Sequence, residues 1–412
     1  MMLKSHQHAV IIATAATAVA MASPAAAKVE GDTIVLGSAL SETGKYSTNG
    51  IHAKNGYNIA VDLINKRGGV KVGGKSYKLK IIYYDDESTP ARGAQLAERL
   101  IRQDGVKYML GPYSSGLTKA IAPVTEKYRI PMVEAEGASR SLFTKGYRYL
   151  FAVLSTSEQY LASAIQLAAE IADRNGKKRS DVKIAMAFEN DPFSLDVRAG
   201  VLADIRRLGM RVVIDDRLPR DLSDMSATLT KVRALQPDLL VVSGHSKGAA
   251  TAARQVKELK IATPMIAMTH CESAKIVSKF SAAVNGFLCP TQWAETLSYT
   301  GEYFGSAAAF DNKFKATFSG YRTVPYQSAQ AAAAVLVWKD AFERANGFDP
   351  EKVRDAIAAT DMVTFYGPIK FSEAGNNIAK PMVLRQIQDG RYVVVAPSKW
   401  ASHKVQWPRK VQ

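Results

Sequence analysis

Two short segments carry the residue types that capture a small anion. In Gly111-Pro-Tyr-Ser-Ser-Gly116 a strand-like run ends and a helical stretch begins, so the backbone N–H groups of Ser115 and Gly116 have no partner within the helix. Tyr113, Ser114 and Ser115 set hydroxyls beside them, which together suit a carboxylate. Glu136-Gly137-Ala138-Ser139 follows the same logic: Gly137 lets the backbone approach closely and Ser139 caps the short helix behind it. His245, His270, Cys271 and Cys289 are the right types for zinc, but no closely spaced pair of the Cys-x-x-Cys or His-x-x-x-His kind supports a metal site. Ser114 as a nucleophile fails on its surroundings, which do not make the Gly-x-Ser-x-Gly elbow. No Gly-x-Gly-x-x-Gly follows a strand, so no dinucleotide and no other cofactor is expected. The expected chemistry is binding, not catalysis.

The elements that hold these segments follow from the hydropathy pattern. The chain has 412 residues, of which 47% are hydrophobic and 22% charged, enough for about two or three domain-sized cores. Short apolar runs alternate with segments of helical period, the pattern of parallel sheets covered on both faces. A first series of strands is read at Ile34–Gly37, Leu79–Tyr84, Tyr108–Leu110, Met132–Ala135 and Tyr149–Val153, with helices at Gly50–Asn65 and Arg92–Gln103. A second series comprises Ile184–Phe188, Arg211–Ile214, Leu239–Val242, Met265–Met268 and Gly286–Cys289, with helices near Leu195–Leu208, Ser226–Leu235, Lys247–Leu259 and Ser273–Phe280. Helices at Gln327–Arg344 and Pro350–Ala359 follow, then an antiparallel pair, Met382–Gln388 and Tyr392–Val395, turning at Asp389-Gly390. The net charge of +16 comes from 54 basic and 38 acidic residues spread along the chain without a basic block, so nucleic acid is not an expected partner.

Residues 1–27 read as a secretory signal. Lys4 supplies the positive start, Ala9 to Ala22 is apolar, and Ala25, Ala26 and Ala27 give the small-residue cleavage site, with cleavage expected after Ala27. The mature protein is expected in the periplasm, where a disulfide is permitted.

An ordered set of phrases resembles the leucine/isoleucine/valine-binding family of type I periplasmic solute-binding proteins, the receptors of branched-chain amino acid ABC importers. These phrases are Ile34-Val-Leu-Gly, Ser41-Glu-Thr-Gly44 with Tyr46, Ala60-Val-Asp-Leu-Ile-Asn-Lys-Arg-Gly-Gly69, Tyr84-Asp-Asp86 with Pro90, Gly111-Pro-Tyr-Ser-Ser115, Tyr147, and Gly367-Pro-Ile-Lys-Phe371. The resemblance covers nearly the whole mature chain. It implies an α/β fold of two doubly wound parallel-sheet lobes joined by a three-strand hinge. Residues 28–153 plus 291–368 would form lobe 1, and 154–290 plus 369–412 lobe 2. It also implies a ligand held between the lobes, the Ser115 and Ser139 loops on its carboxylate, Tyr46 covering it, and Phe193, His245 and His270 closing from lobe 2. Trp293, just after the second crossover, is a further candidate wall.

Where the family has tyrosines this chain has Phe193 and His245, and His270 stands at or beside the glutamate that meets a ligand's ammonium in amino-acid-binding relatives. Replacing that anion by an imidazole removes the partner a buried ammonium needs. Glu136, Glu189, Asp191 or Glu272 would have to restore it. Two ligand classes therefore stand open: an amino acid or amide, and an aromatic or aliphatic carboxylate without an amine. The partner implied is an inner-membrane permease, or a membrane signalling protein if the chain is a sensor, and the receptor is expected to be a monomer. The family's usual cysteine pair appears as Ser88 and Ser114, whereas Cys271 and Cys289 end successive strands of one lobe, where a disulfide is geometrically allowed.

Overall fold

Apolar runs too short for helices pair side by side, and the amphipathic segments between them cover both faces of the resulting sheets. The computed structural model describes residues 29–410, so the expected export signal lies outside the described residues. The first sheet takes β1 (Val29–Glu30), β2 (Thr33–Leu40), β3 (Val70–Val72), β4 (Lys75–Asp85), β5 (Met109–Leu110), β6 (Met132–Glu134) and β7 (Leu150–Ala152). Its order is β3-β4-β2-β5-β6-β7, with β1 on β2. All neighbours run parallel except β1 on β2 and the β3–β4 hairpin. The helices α1 (Ser47–Lys66), α2 (Pro90–Arg102) and α3 (Ser115–Lys127) link its strands.

The second lobe begins with α4 (Ala162–Arg174), an alanine-rich helix that the sequence reading leaves unassigned. It continues through β8 (Lys183–Glu189), α5 (Pro192–Arg207), β9 (Arg211–Leu218), α6 (Ser226–Leu235), β10 (Leu239–Ser243), α7 (Ser246–Glu258), β11 (Met265–Met268), α8 (Ile276–Phe280) and β12 (Leu288–Thr291). The helix expected from Ser273 starts only at Ile276, because His270 (φ 62°) and Lys275 (φ 54°) adopt left-handed conformations that a helix cannot contain. The chain then forms the hairpin β13 (Thr300–Gly301) and β14 (Gly305–Ser306), helices α9 (Ala307–Thr317), α10 (Tyr326–Ala345) and α11 (Pro350–Ala358), and the hairpin β15 (Asp361–Thr364) and β16 (Gly367–Lys370). Strands β17 (Val383–Gln388) and β18 (Arg391–Ala396) complete the second sheet, ordered β18-β17-β12-β11-β10-β8-β9.

Helix α10 is apolar nearly all round and is buried accordingly, packed along α1. Gly56 makes that approach possible, since a Cβ there would lie 2.2 Å from the Ser328 carbonyl oxygen. Three connecting segments between the lobes are tied together. Gln292 bonds both backbone groups of Ser155 (3.1 and 3.0 Å), Ser155 Oγ donates to the Lys380 carbonyl (2.7 Å), and Asn377 Nδ2 donates to the Val153 carbonyl (2.8 Å). Two α/β lobes with such a strapped junction are the architecture the resemblance implied.

Candidate ligand-binding cleft

Loops at the carboxyl ends of the parallel strands face each other across the junction, where open α/β lobes bind ligands. They enclose a cavity lined by Tyr113, Ser115, Glu136, Tyr160, Phe193, His245, His270, Tyr326, Gln327 and Gln330. It offers about 10 Å³ to the centre of a water-sized sphere, room for about one water. The lobes meet directly at Tyr113, whose hydroxyl lies 2.7 Å from His245 Nδ1 and 3.0 Å from His270 Nε2. A hydroxyl has one proton, so one imidazole accepts it and the other donates its own N–H. Burial and the neighbouring His245 push His270 down to about 3, which keeps its ring neutral.

Three helices begin at the cavity wall: α3 at Ser115, α7 behind its cap residue His245, and α10 at Tyr326 and Gln327. No cap-residue side chain bonds a helix N–H in any of the three; the His245 N–H donates to Glu189 Oε1 (3.4 Å) and the Ser328 N–H to the Pro325 carbonyl (3.0 Å), whereas Ser115, Tyr326 and Gln327 set the opening residues of α3 and α10, and the positive ends of those two dipoles, at the cavity wall. Helix α5 differs, because Asp191 Oδ1 caps it through the N–H groups of Phe193 (2.9 Å) and Ser194 (3.1 Å).

Of the four carboxylates that might meet an ammonium, three are engaged elsewhere. Glu189 pairs with Lys45 (3.2 Å) and Glu272 with Arg385 (2.9 Å). Asp191 caps α5 and lies 3.6 Å from His245; burial would raise it, but His245, the Ser194 N–H and Lys45 outweigh burial and hold it at about 2. Glu136 alone among them lines the cavity. Its Oε2 accepts from Gln330 Nε2 (2.9 Å), and its Oε1 is buried without a partner, as are Gln330 Oε1 and both polar atoms of the Gln327 amide. Burial, reinforced by the Glu134 carboxylate, holds Glu136 well above the ordinary carboxylate range, which favours its protonated form facing the cavity.

Glu134 organises the loop around it. Its carboxylate accepts from the N–H groups of Glu136 and Gly137 (2.8 Å for Gly137) and from Thr118 Oγ1 (2.8 Å). Gly137 is required there, since a Cβ would sit 2.4 Å from Thr118 Oγ1. These backbone donors, expected to face a ligand, are turned inward. Ser139 also looks away from the cavity: its N–H donates to Ser115 Oγ (3.0 Å), and its hydroxyl bonds Asp196 of α5 across the lobes. Ala138 and Ser114 are buried behind the wall, and Tyr46 stacks edge-on against Tyr113 and His245 from outside it, centroids 5.6 and 4.7 Å apart. Trp293 is not at the cavity. It is fully buried against Phe310 with its indole N–H on the Phe365 carbonyl (3.2 Å), because a large ring beside a junction is most stably spent on packing.

The structure thus brings Tyr113, Ser115, Glu136, Phe193, His245 and His270 to one cavity. Tyr160, Tyr326, Gln327 and Gln330 complete its wall and were not foreseen. Two glutamines three residues apart in an otherwise alanine- and valine-rich helix were a readable signal; Tyr160 had none. Cys271 and Cys289 form a disulfide with Cα atoms 5.8 Å apart. Among the described residues no helix is long and apolar enough to cross a membrane.

Comparison with known proteins places this architecture. The Leu/Ile/Val-binding protein homolog 8 of Brucella abortus is 25% identical over 390 residues, covering 91% of this chain and 93% of that one. The structure of the leucine binding protein LivK from Thermotoga maritima superposes with a TM-score of 0.75 at 23% identity, over 88% of this chain and 97% of that one. A solute binding protein of an ABC transporter from R. palustris, in complex with 4-hydroxybenzoate, gives 0.74 at 21%, over 91% and 98%. The profile of the family described as "Periplasmic binding protein" matches residues 33–391, and with two doubly wound lobes closed over a buried cavity this chain belongs to that family, one of binding proteins and not of enzymes.

Proposed function

We propose that this protein is the capture component of an ABC importer, holding a small carboxylate between its lobes and presenting it to an inner-membrane permease. The observation that carries the reading is the start of two helices, α3 and α10, at one buried cavity, with Ser115, Tyr326 and Gln327 of their first turns in its wall, an arrangement that favours an anion. Rotation about the three strapped segments, with lobe boundaries near residues 153, 290 and 368, would open and close the cleft. Export to the periplasm with cleavage after Ala27, and a monomeric receptor, complete the proposal.

Within that class the site favours carboxylates lacking an amine. A Glu136 carboxyl held toward its protonated form offers a donor where an ammonium needs an anion, and Glu189, Asp191 and Glu272 do not line the cavity. The wall is rich in rings, with Tyr160, Phe193 and His270 in edge contact (5.1 and 5.3 Å between centroids), which suits a flat or aromatic body. Leucine and 4-hydroxybenzoate, the ligands named for the two structural relatives, represent the competing classes.

A thermal-shift screen of ligand-stripped protein separates them. A ligand at about 100 times its Kd adds about 2.7 kcal/mol of stability. Shifts with benzoate, 4-hydroxybenzoate or aliphatic acids, and none with leucine, isoleucine or alanine, are expected. Shifts with amino acids alone would overturn the amine-free reading, and no shift with any acid would overturn carboxylate capture. Binding without stimulation of an importer in vesicles would transfer the protein to sensing.

A further inference from the structure

On the surface beside the cleft, residues from both lobes line a groove of about 430 Å³. It is basic: Lys45 comes from the loop before α1, Lys247 and Arg254 from α7, and Lys279 from α8, and no acidic side chain lines it. Lys45 and Arg254 are neutralised by Glu189 and Glu258. Lys247 and Lys279 are exposed and meet no acidic side chain within ion-pair distance among the described residues.

The groove adjoins the cavity through single-residue steps. Lys45 lines the groove and lies over the Tyr46 ring (4.9 Å), while Tyr46 itself rests against Tyr113 and His245 of the cavity wall. On the other side Ser246 lines the groove and His245, one residue before it, lines the cavity. Ser246 Oγ also donates to Asn49 Oδ1 across the lobes.

We propose that this groove is an anion vestibule: Lys247 and Lys279 collect an approaching carboxylate, and withdrawal of Tyr46 from His245 as the lobes part admits it to the cavity. The proposal rests on the carboxylate reading and adds to it the route and the source of association speed. A groove lined by one sign of charge concentrates ions of the opposite sign and raises association rates by about 10- to 1,000-fold, an effect that salt removes.

Stopped-flow binding of 4-hydroxybenzoate to the wild type and to the double variant Lys247→Gln/Lys279→Gln tests it. At about 10 mM ionic strength the variant should associate about fivefold more slowly with an unchanged dissociation rate, and at about 1 M the two proteins should converge. Equal association at low salt, or a loss carried by dissociation, would overturn the vestibule while leaving the cavity reading intact. If no acid binds, the carboxylate reading falls, and a ligand-independent measurement judges the groove. Iodide should quench a fluorophore attached at Thr251→Cys about threefold more effectively in the wild-type background than in the double variant, with neutral acrylamide showing no difference. Equal iodide quenching would refute the groove as an anion collector.

Discussion

Replacing Tyr113 by Phe removes one oxygen and leaves the ring contacts with Tyr46 and His245 in place. In the closed form that oxygen is the bonded partner of His245 Nδ1 (2.7 Å) and His270 Nε2 (3.0 Å), whose side chains are 3% and 4% exposed. Bulk water is excluded at such burial, so each imidazole nitrogen that the single water the cavity can hold does not reach is stranded at about 1–3 kcal/mol. In the open form both nitrogens are hydrated and the substitution costs little. With both nitrogens stranded, closing is opposed by about 2–6 kcal/mol, and because ligand binding is coupled to closing, affinity should fall by at least about 30-fold. Calorimetric titration of a binding acid, with energy transfer between dyes on the two lobes, reads both quantities. A double-mutant cycle with His270→Phe separates the latch from any direct contact with ligand, and should return a coupling of about 1 kcal/mol or more. Affinity within about threefold of wild type, with unchanged closure, would refute the reasoning.

Glu134 offers a pH test: burial raises it from 4.5 to about 7, so between those values the folded protein keeps a proton that the unfolded chain has released. Its contribution to stability is complete below about 4.5 and is lost as pH rises through about 7; urea midpoints of the wild type minus those of Glu134→Gln should decline over that window, and a flat or rising difference contradicts the assignment. Gly137→Ala places a methyl 2.4 Å from Thr118 Oγ1 and 3.1 Å from the Glu134 carboxyl carbon, which should destabilise the fold by about 1–3 kcal/mol in urea unfolding. Joint replacement of Cys271 and Cys289 by Ser opens a bridge between positions 18 residues apart and should lower unfolding free energy by about 3 kcal/mol, read against the oxidised wild type.

Much of the frame was legible because it depends on neighbours along the chain. The strand at Met265–Met268 and the helix at Ser226–Leu235 fall where the apolar runs and helical period put them. The hairpin turning at Asp389-Gly390 needs only residues free to take positive φ, which both adopt. The segment Gly111–Gly116 was recognisable as an anion loop because a strand end, a serine and a helix start are all local features.

The site itself was decided by the tertiary structure. Tyr113 meets His245 and His270 across 132 and 157 residues, and no periodicity carries information over such distances. Ser139 and Glu136 illustrate the same limit from opposite sides. The first was expected on the ligand and is taken by Asp196 of the other lobe, while the second, one of four acids of equal standing in the sequence, is the one whose oxygen is left facing the cavity. Residue type and spacing determine which groups can bind an anion and which elements hold them. Which of those groups remain unsatisfied, and which carboxyl is pushed toward its protonated form, depends on burial and on charges brought together only when two distant halves of the chain pack against each other.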